Sequence, residues 1–129
     1  MYDIYYAHHQ WKYGTKEEAY EIDLIKRYFP NANIFNPSTD LSPVTDTGDE
    51  ALIMKECLEK VRNSDILLFS SLDGCVGTGV YHEVLEATNS NKLVLYIYQD
   101  SIFANFEMIE RTDGGKTDRL FAMVNVKEV

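Results

Sequence analysis

The fold is indicated most clearly by the stretch Asp65-Ile-Leu-Leu-Phe-Ser-Ser-Leu-Asp-Gly-Cys-Val-Gly-Thr-Gly-Val-Tyr-His-Glu83. Its apolar run at 66–69 predicts a buried central strand, and its three glycines predict a sharp loop that leads into a helix over roughly 80–89. A strand, a glycine loop and a helix in this order are typical of parallel α/β sheets, which bind ligands at the carboxyl ends of their strands. Glu83 lies about one turn into the helix, so a carboxylate is expected at that edge.

The rest of the chain alternates between strand-like and helix-like runs. Strands are predicted at 4–7, 33–35, 65–69 and 92–98, with a last one at 120–126. Helices are predicted from the Thr15/Glu18 capping box to Pro30, with Ala19, Ile22, Leu24, Ile25 and Tyr28 as the apolar face, and from 49 to 62. A surface loop is expected at 38–48, a short helix or irregular segment at 102–109, and a turn at 113–115. The alternation predicts one α/β domain over 1–129, with a parallel sheet between helices.

Composition limits the classes of function. The chain has 129 residues, 45% of them apolar, and a formal net charge of −9. This charge argues against duplex nucleic acid or an anionic membrane as a partner. The sequence has no apolar run of about 20 residues and no evident signal peptide, so a cytoplasmic protein is expected. Its two cysteines have no metal-ligand spacing, and no metal or other cofactor is expected.

The glycine loop is the first candidate for chemistry. Gly74, Gly77 and Gly79 would let the backbone approach a ligand, and the unpaired N–H groups of the following helix suit a phosphate or carboxylate. Asp73 could hydrogen-bond a ribose or base, or only stabilise the turn. Glu83 could act as a nucleophile or base, or simply be an exposed helix residue.

The end of the first strand supplies the second group of candidates. Tyr5, Tyr6, His8, His9 and Lys12 run into a loop that should line the same crevice. Aromatic rings can stack on a base and a lysine can pair with anionic oxygens. Alternatively, the aromatic rings only cover the core. Metal binding by the two histidines is disfavoured because adjacent side chains diverge.

With these features placed, the chain resembles the nucleoside 2-deoxyribosyltransferase-like family. The resemblance covers roughly residues 1–98 and lies in three short motifs: Ile4-Tyr5-Tyr6-Ala7, Asn63-Ser64-Asp65-Ile66-Leu67 and Gly79-Val80-Tyr81-His82-Glu83. It implies a flavodoxin/Rossmann-like three-layer sandwich with a mainly parallel five-stranded sheet. It also implies that the residue at Glu83 attacks the anomeric carbon of a nucleoside or nucleotide, that Tyr5 orients it, and that the protein is a homo-oligomer.

The sequence departs from this family at two places. Gly77 stands where the transferases usually carry a base-contacting aspartate, and their C-terminal segment is not recognisable after Tyr98. The first loop also differs, and its Lys12 favours a phosphorylated substrate. Loss of the aspartate weakens base exchange more than hydrolysis.

The sequence is therefore compatible with three functions. The leading hypothesis is cleavage of an N-glycosidic bond, by hydrolysis or transfer, through a Glu83 nucleophile. Its main rival is a non-catalytic module that binds a nucleotide or a nucleotide-derived signal in the same crevice. The third is a TIR-like NAD glycohydrolase, although no dinucleotide fingerprint is present. The expected partner is a nucleoside or nucleotide, and aromatic residues at 11, 13, 20 and 28 favour a homodimer or larger homo-oligomer.

Overall fold

The described chain forms a main sheet, a smaller second sheet and four α-helices in a computed structural model that covers residues 1–43, 48–111 and 120–127. The strands are β1 Asp3–Ala7, β2 Asn33–Phe35, β3 Ile66–Ser70, β4 Cys75–Val76, β5 Leu93–Tyr98, β6 Ser101–Phe103, β7 Phe106–Glu110 and β8 Ala122–Val126. The helices are α1 Lys16–Tyr28, α2 Pro37–Asp40, α3 Glu50–Arg62 and α4 Thr78–Asn89.

The main sheet has five strands in the order β2-β1-β3-β5-β6. β1 pairs in parallel with β2 and β3, and β3 pairs in parallel with β5, whereas β6 adds to the edge in the antiparallel direction. This order is that of flavodoxin-like folds, in which the ligand crevice opens between the first and third strands at their carboxyl ends. The predicted α/β class and mainly parallel five-stranded sheet are confirmed.

Helices cover both faces of the main sheet. Leu24 and Ile25 of α1 pack on one face, against side chains such as Tyr6. Cys57 and Val61 of α3, together with Val80 and Val84 of α4, pack on the other face. The result is a three-layer sandwich, and the alternation of side chains along β1 sends consecutive residues into different layers.

The segment between β5 and the C-terminus differs from the prediction. Residues 102–109 were expected to be a short helix or irregular, which is wrong for most of them, because 102–103 lie in β6 and 106–109 lie in β7. The last predicted strand is confirmed as β8, and it lies between β4 and β7 in a second, antiparallel sheet. The glycine loop contains β4, and α4 begins at Thr78 rather than near 80. Sequence periodicity could not reveal β4 because it is two residues long and pairs with a strand more than 40 residues away.

The buried face of α1 also differs in part. Leu24 and Ile25 are buried as predicted, but Ala19 and Tyr28 are exposed. Glu18 and Glu21 lie on the inward face instead and are 7% and 8% exposed. Charged residues on a helix normally face solvent, so a hydrophobic pattern assigns them to the wrong side when they have buried partners.

The structure also bears on the predicted loop at 38–48, on membrane spans and on the surface aromatic residues. The predicted loop at 38–48 begins with α2, capped by the Asn36 side chain, which accepts a hydrogen bond from the Ser38 amide. Residues 44–47 of that loop and the predicted turn at 113–115 lie outside the described residues. Across the described ranges, no helix is long and apolar enough to span a membrane. The four aromatic residues predicted at the surface, Trp11, Tyr13, Tyr20 and Tyr28, are 39–49% exposed, and the homo-oligomer stays a prediction.

Candidate functional site

The candidate site lies where β1 and β3 end and their loops begin. Consecutive residues of β1 point to opposite faces of the sheet, and each meets a glutamate from a helix. The Tyr5 hydroxyl donates to the carboxylate of Glu83 on α4, and the Tyr6 hydroxyl donates to the carboxylate of Glu21 on α1. Two tyrosine–glutamate pairs therefore flank the same sheet edge.

The pair on the α4 side carries the residues predicted to be catalytic. Glu83 is 6% exposed and Tyr5 is fully buried. Burial raises the pKa of the Glu83 carboxyl to about 7, although hydrogen bonds from Tyr5 and Cys57 oppose the rise. A carboxyl with this pKa is about half ionised near pH 7, which suits a nucleophile or a proton acceptor.

Two further side chains interact electrostatically with Glu83, and the sequence did not identify them as site residues. Cys57 of α3 has its pKa raised to about 11 by burial and by the charge of Glu83. Burial, and then the charge of Glu83, also raises the pKa of Tyr13. Both groups are therefore neutral near pH 7. The helical stripe of α3 placed Cys57 in the core, but nothing in the sequence indicated which carboxylate it would meet.

The pair on the α1 side is part of a buried polar network. The Lys12 ammonium lies 2.9 Å from a Glu21 oxygen and 3.1 Å from the Ser70 hydroxyl oxygen. The Ser70 hydroxyl donates to the other Glu21 oxygen at 2.7 Å, and the Tyr6 hydroxyl donates to that same oxygen. Lys12 was predicted to contact substrate, and in the structure its charge is balanced by Glu21. No sequence pattern indicated Glu21 or Ser70 as a site residue.

The loop after β1 is held by its two histidines, which point to different places. The His8 ring stacks on Tyr6 with centroids 3.9 Å apart, and its Nε2 lies 2.6 Å from a Glu18 oxygen. Burial lowers the pKa of His8, and Glu18 only partly offsets this. The Nδ1 of His9 accepts a hydrogen bond from the Trp11 amide and caps the turn of 3-10 helix at Gln10–Lys12. Both histidines thus order the loop.

The glycine loop is mainly a structural turn. Asp73 and Gly74 both have positive φ, 52° and 78°, and Leu72 and Cys75 exchange backbone hydrogen bonds across them. A two-residue Asp-Gly turn of this kind is typical of hairpins, and at Gly74 it requires the freedom of glycine. The Gly74 carbonyl accepts from the Val124 amide at 2.9 Å, which attaches the turn to the second sheet. Asp73 therefore stabilises a turn, which is one of the two roles that the sequence allowed for it.

The other two glycines lie at the start of α4. Gly77 caps the helix without a side-chain hydrogen bond, and Gly79 lies in its first turn. A Cβ at Gly79 would meet only the Met54 methyl carbon, at an ordinary 3.6 Å. The structure thus brings Gly77 and Gly79 to the helix that carries Glu83 and places Asp73 and Gly74 at an exposed tip.

A cavity of about 490 Å³ opens on the α1 side of the same sheet edge and is called here the α1-side cavity. Glu83 does not line it. Its lining includes Lys12, Tyr20, Ser71, Tyr98, Gln99 and Asp100.

The raised pKa of Glu83 predicts a specific pH dependence of stability. Between the unfolded pKa near 4.5 and the folded pKa near 7, the folded chain holds a proton that the unfolded chain lacks, so stability falls as pH rises. From pH 5 to pH 8 this group should remove about 2.5 kcal/mol of unfolding free energy. Urea unfolding at both pH values should show no such decrease in unfolding free energy for Glu83→Gln. The control Glu59→Gln, which changes an exposed glutamate, should show the same decrease as the wild type. Parallel pH curves for the wild type and Glu83→Gln would contradict the assignment.

Among the residues that the structure describes, no group of three histidine, cysteine or acidic side chains could hold a metal ion. Cys57 and Cys75 are both buried free thiols.

Comparisons with known proteins address the fold. No protein-family model matches the sequence, and a search of curated proteins gives no match either. The chain is similar to a solved structure, the crystal structure of a conserved protein from Enterococcus faecalis V583, with a TM-score of 0.63 and 22% sequence identity. The match covers 78% of this chain and 65% of that one, so the chain spans somewhat less than two thirds of that protein's length. This similarity supports the flavodoxin/Rossmann-like α/β fold alone.

Proposed function

We propose that the protein cleaves the N-glycosidic bond of a nucleoside or nucleotide, with Glu83 as the nucleophile and Tyr5 as the residue that orients it. The observation that carries this proposal is the contact between the buried Tyr5 hydroxyl and the buried Glu83 carboxylate. It lies at the carboxyl edge of a flavodoxin-like sheet, where such folds bind ligands.

The reaction would proceed in two displacements. A Glu83 oxygen attacks the anomeric carbon, the bond to the base nitrogen breaks, and its electron pair leaves with the base, which takes a proton from water. Water or a second base then attacks the same carbon, the bond to Glu83 breaks, and the carboxylate is restored with release of a proton. The covalent intermediate divides one difficult displacement into two easier ones, each with an oxocarbenium-like transition state.

The surroundings of Glu83 suit this role. A carboxylate removed from water reacts more readily because it need not shed a full hydration shell. The Tyr5 hydroxyl donates to Glu83 and leaves lone pairs of the carboxylate available for attack. Cys57 and Tyr13 are neutral neighbours, so neither adds a competing charge.

The proposal is tested with a substrate panel. Purified protein would be incubated at pH 8, where Glu83 is ionised, with nucleosides, their 2-deoxy forms, nucleoside monophosphates and NAD. Chromatography would then measure the free base or nicotinamide released. Release from one class would identify the substrate, and adding a second base would separate transfer from hydrolysis. Release from NAD alone would favour the NAD glycohydrolase hypothesis, and no release from any class would overturn bond cleavage.

A second candidate function is a non-catalytic module that binds a nucleotide or nucleotide-derived signal. It is favoured by the 6% exposure of Glu83, because a carboxylate this buried is poorly placed to attack a substrate. This module predicts thermal stabilisation by one compound of the panel with no base released. It also predicts that Glu83→Gln changes affinity and leaves no rate to measure.

A further inference from the structure

We propose that the α1-side cavity is a binding site for an uncharged planar heterocycle, distinct from the Glu83 centre. The proposal does not depend on the reaction proposed for Glu83, because the two sites lie on opposite faces of the main sheet. It rests on the position of the cavity, its polar floor, its aromatic walls and its balance of charge.

The position is one that α/β folds use for ligands. The cavity opens at the carboxyl ends of β3 and β5, where Ser71 and Ile97–Tyr98 contribute to the lining. Open sheets of this kind bind small molecules outside these strand ends. A volume of about 490 Å³ falls within the range of small-molecule sites.

The floor of the cavity is an ordered polar surface. Lys12 and Glu21 line it, and they are only 5% and 8% exposed. Their ion pair of 2.9 Å is supported by the Ser70 hydroxyl, 3.1 Å from the ammonium. Burying a lysine and a glutamate costs desolvation energy that a hydrophobic pair would avoid. Within the cavity this ion pair presents polar groups to a ligand.

The walls supply aromatic faces. Tyr20 from α1 and Tyr98 from β5 are 46% and 43% exposed, so large parts of their rings are open to a ligand. The Tyr20 hydroxyl donates to Asp100, which ties α1 to the turn between β5 and β6 and holds the ring in place. Tyr98 lies against Phe103, with ring centroids 6.2 Å apart. Ordered aromatic rings favour a flat, unsaturated ligand that can stack on them.

The charges of the lining disfavour a strongly anionic ligand. Lys12 and Lys16 bring two positive charges, and Glu17, Glu21 and Asp100 bring three negative charges. This balance gives a phosphate no net attraction, and the chain as a whole carries −9.

The uncharged polar groups of the lining suit the edge of a heterocycle. The Gln99 amide offers both a donor and an acceptor, and the Ser71 hydroxyl, 2.7 Å from the Tyr96 hydroxyl oxygen, offers another polar group. Ring nitrogens, carbonyls and amino groups can pair with them.

The test is a titration with three uncharged heterocycles, adenine, uracil and nicotinamide, and with AMP as the anionic comparison. Binding would be measured by NMR shifts or calorimetry. We expect saturable binding of at least one heterocycle, a loss of about tenfold in affinity in Tyr98→Ser, and a smaller loss in Gln99→Ala. The matched control is Tyr28→Ser, an exposed tyrosine of α1 outside the cavity, which should leave binding unchanged.

Glu83→Gln separates this proposal from the one made for catalysis. Heterocycle binding that persists in Glu83→Gln and weakens in Tyr98→Ser would support the α1-side cavity whether or not base release is found. The proposal would be overturned by no saturable binding of any heterocycle, by loss of binding in Glu83→Gln instead of Tyr98→Ser, or by tighter binding of AMP than of adenine.

Discussion

Replacing Glu83 with glutamine is expected to lower the kcat for base release by a thousandfold or more, on the order of what loss of a covalent nucleophile costs. Glutamine keeps the size of the side chain and an oxygen that can accept from Tyr5, but it cannot form the glycosyl ester. The measurement is chromatographic release of base at pH 8 from the best substrate of the panel. KM should change much less than kcat, because the change removes the reacting group and little else.

Two further variants test whether the loss of activity is due to the Glu83 carboxylate itself. Glu86→Gln changes a glutamate one turn further along α4, where the carboxylate pairs with Arg62, and should leave turnover within about twofold. Tyr5→Phe removes the hydrogen bond to Glu83 and should lower kcat by about 10- to 100-fold, the cost of one bond to a charged group. If Glu83→Gln turned over as fast as the wild type, Glu83 could not be the nucleophile.

Replacing Lys12 with methionine is expected to reduce the unfolding free energy by about 3–5 kcal/mol, the usual cost of removing one partner of a buried ion pair. The side chains of Lys12 and Glu21 are 6% and 11% exposed, so the Glu21 carboxylate would stay buried without its counter-charge. The hydroxyls of Tyr6 and Ser70 would still donate to it, but they carry no charge. Urea unfolding at pH 7 measures the change.

The double variant Lys12→Met/Glu21→Gln should recover most of that loss, since no uncompensated charge remains. The control Lys16→Met, at the exposed start of α1, should change stability by no more than about 0.5 kcal/mol. A loss below about 1 kcal/mol in Lys12→Met, or no recovery in the double variant, would show that the ion pair is not what makes Lys12 important.

Much of the fold could be predicted from local sequence. The apolar runs at 4–7, 66–69 and 92–98 can be stable as strands only when both faces are covered, and the segments between them have helical periodicity and caps. Asp49 caps α3 and Thr15 caps α1, each through a side-chain oxygen that accepts from an amide two or three residues on. The second sheet escaped prediction because β4 is only two residues long and pairs with β8, more than 40 residues further along the chain.

The candidate site could likewise be predicted from the sequence only in part. The sequence alone was enough to place Tyr5 on the first strand and Glu83 on the helix after the glycine loop, because the periodicity of a strand or helix depends on near neighbours. Only the folded chain shows that Glu21 faces Lys12, Ser70 and Tyr6, and that Cys57 and Tyr13 lie near Glu83. Hydrophobic periodicity assigns charged residues to solvent, and a buried charge is stable only with partners that the whole fold brings to it.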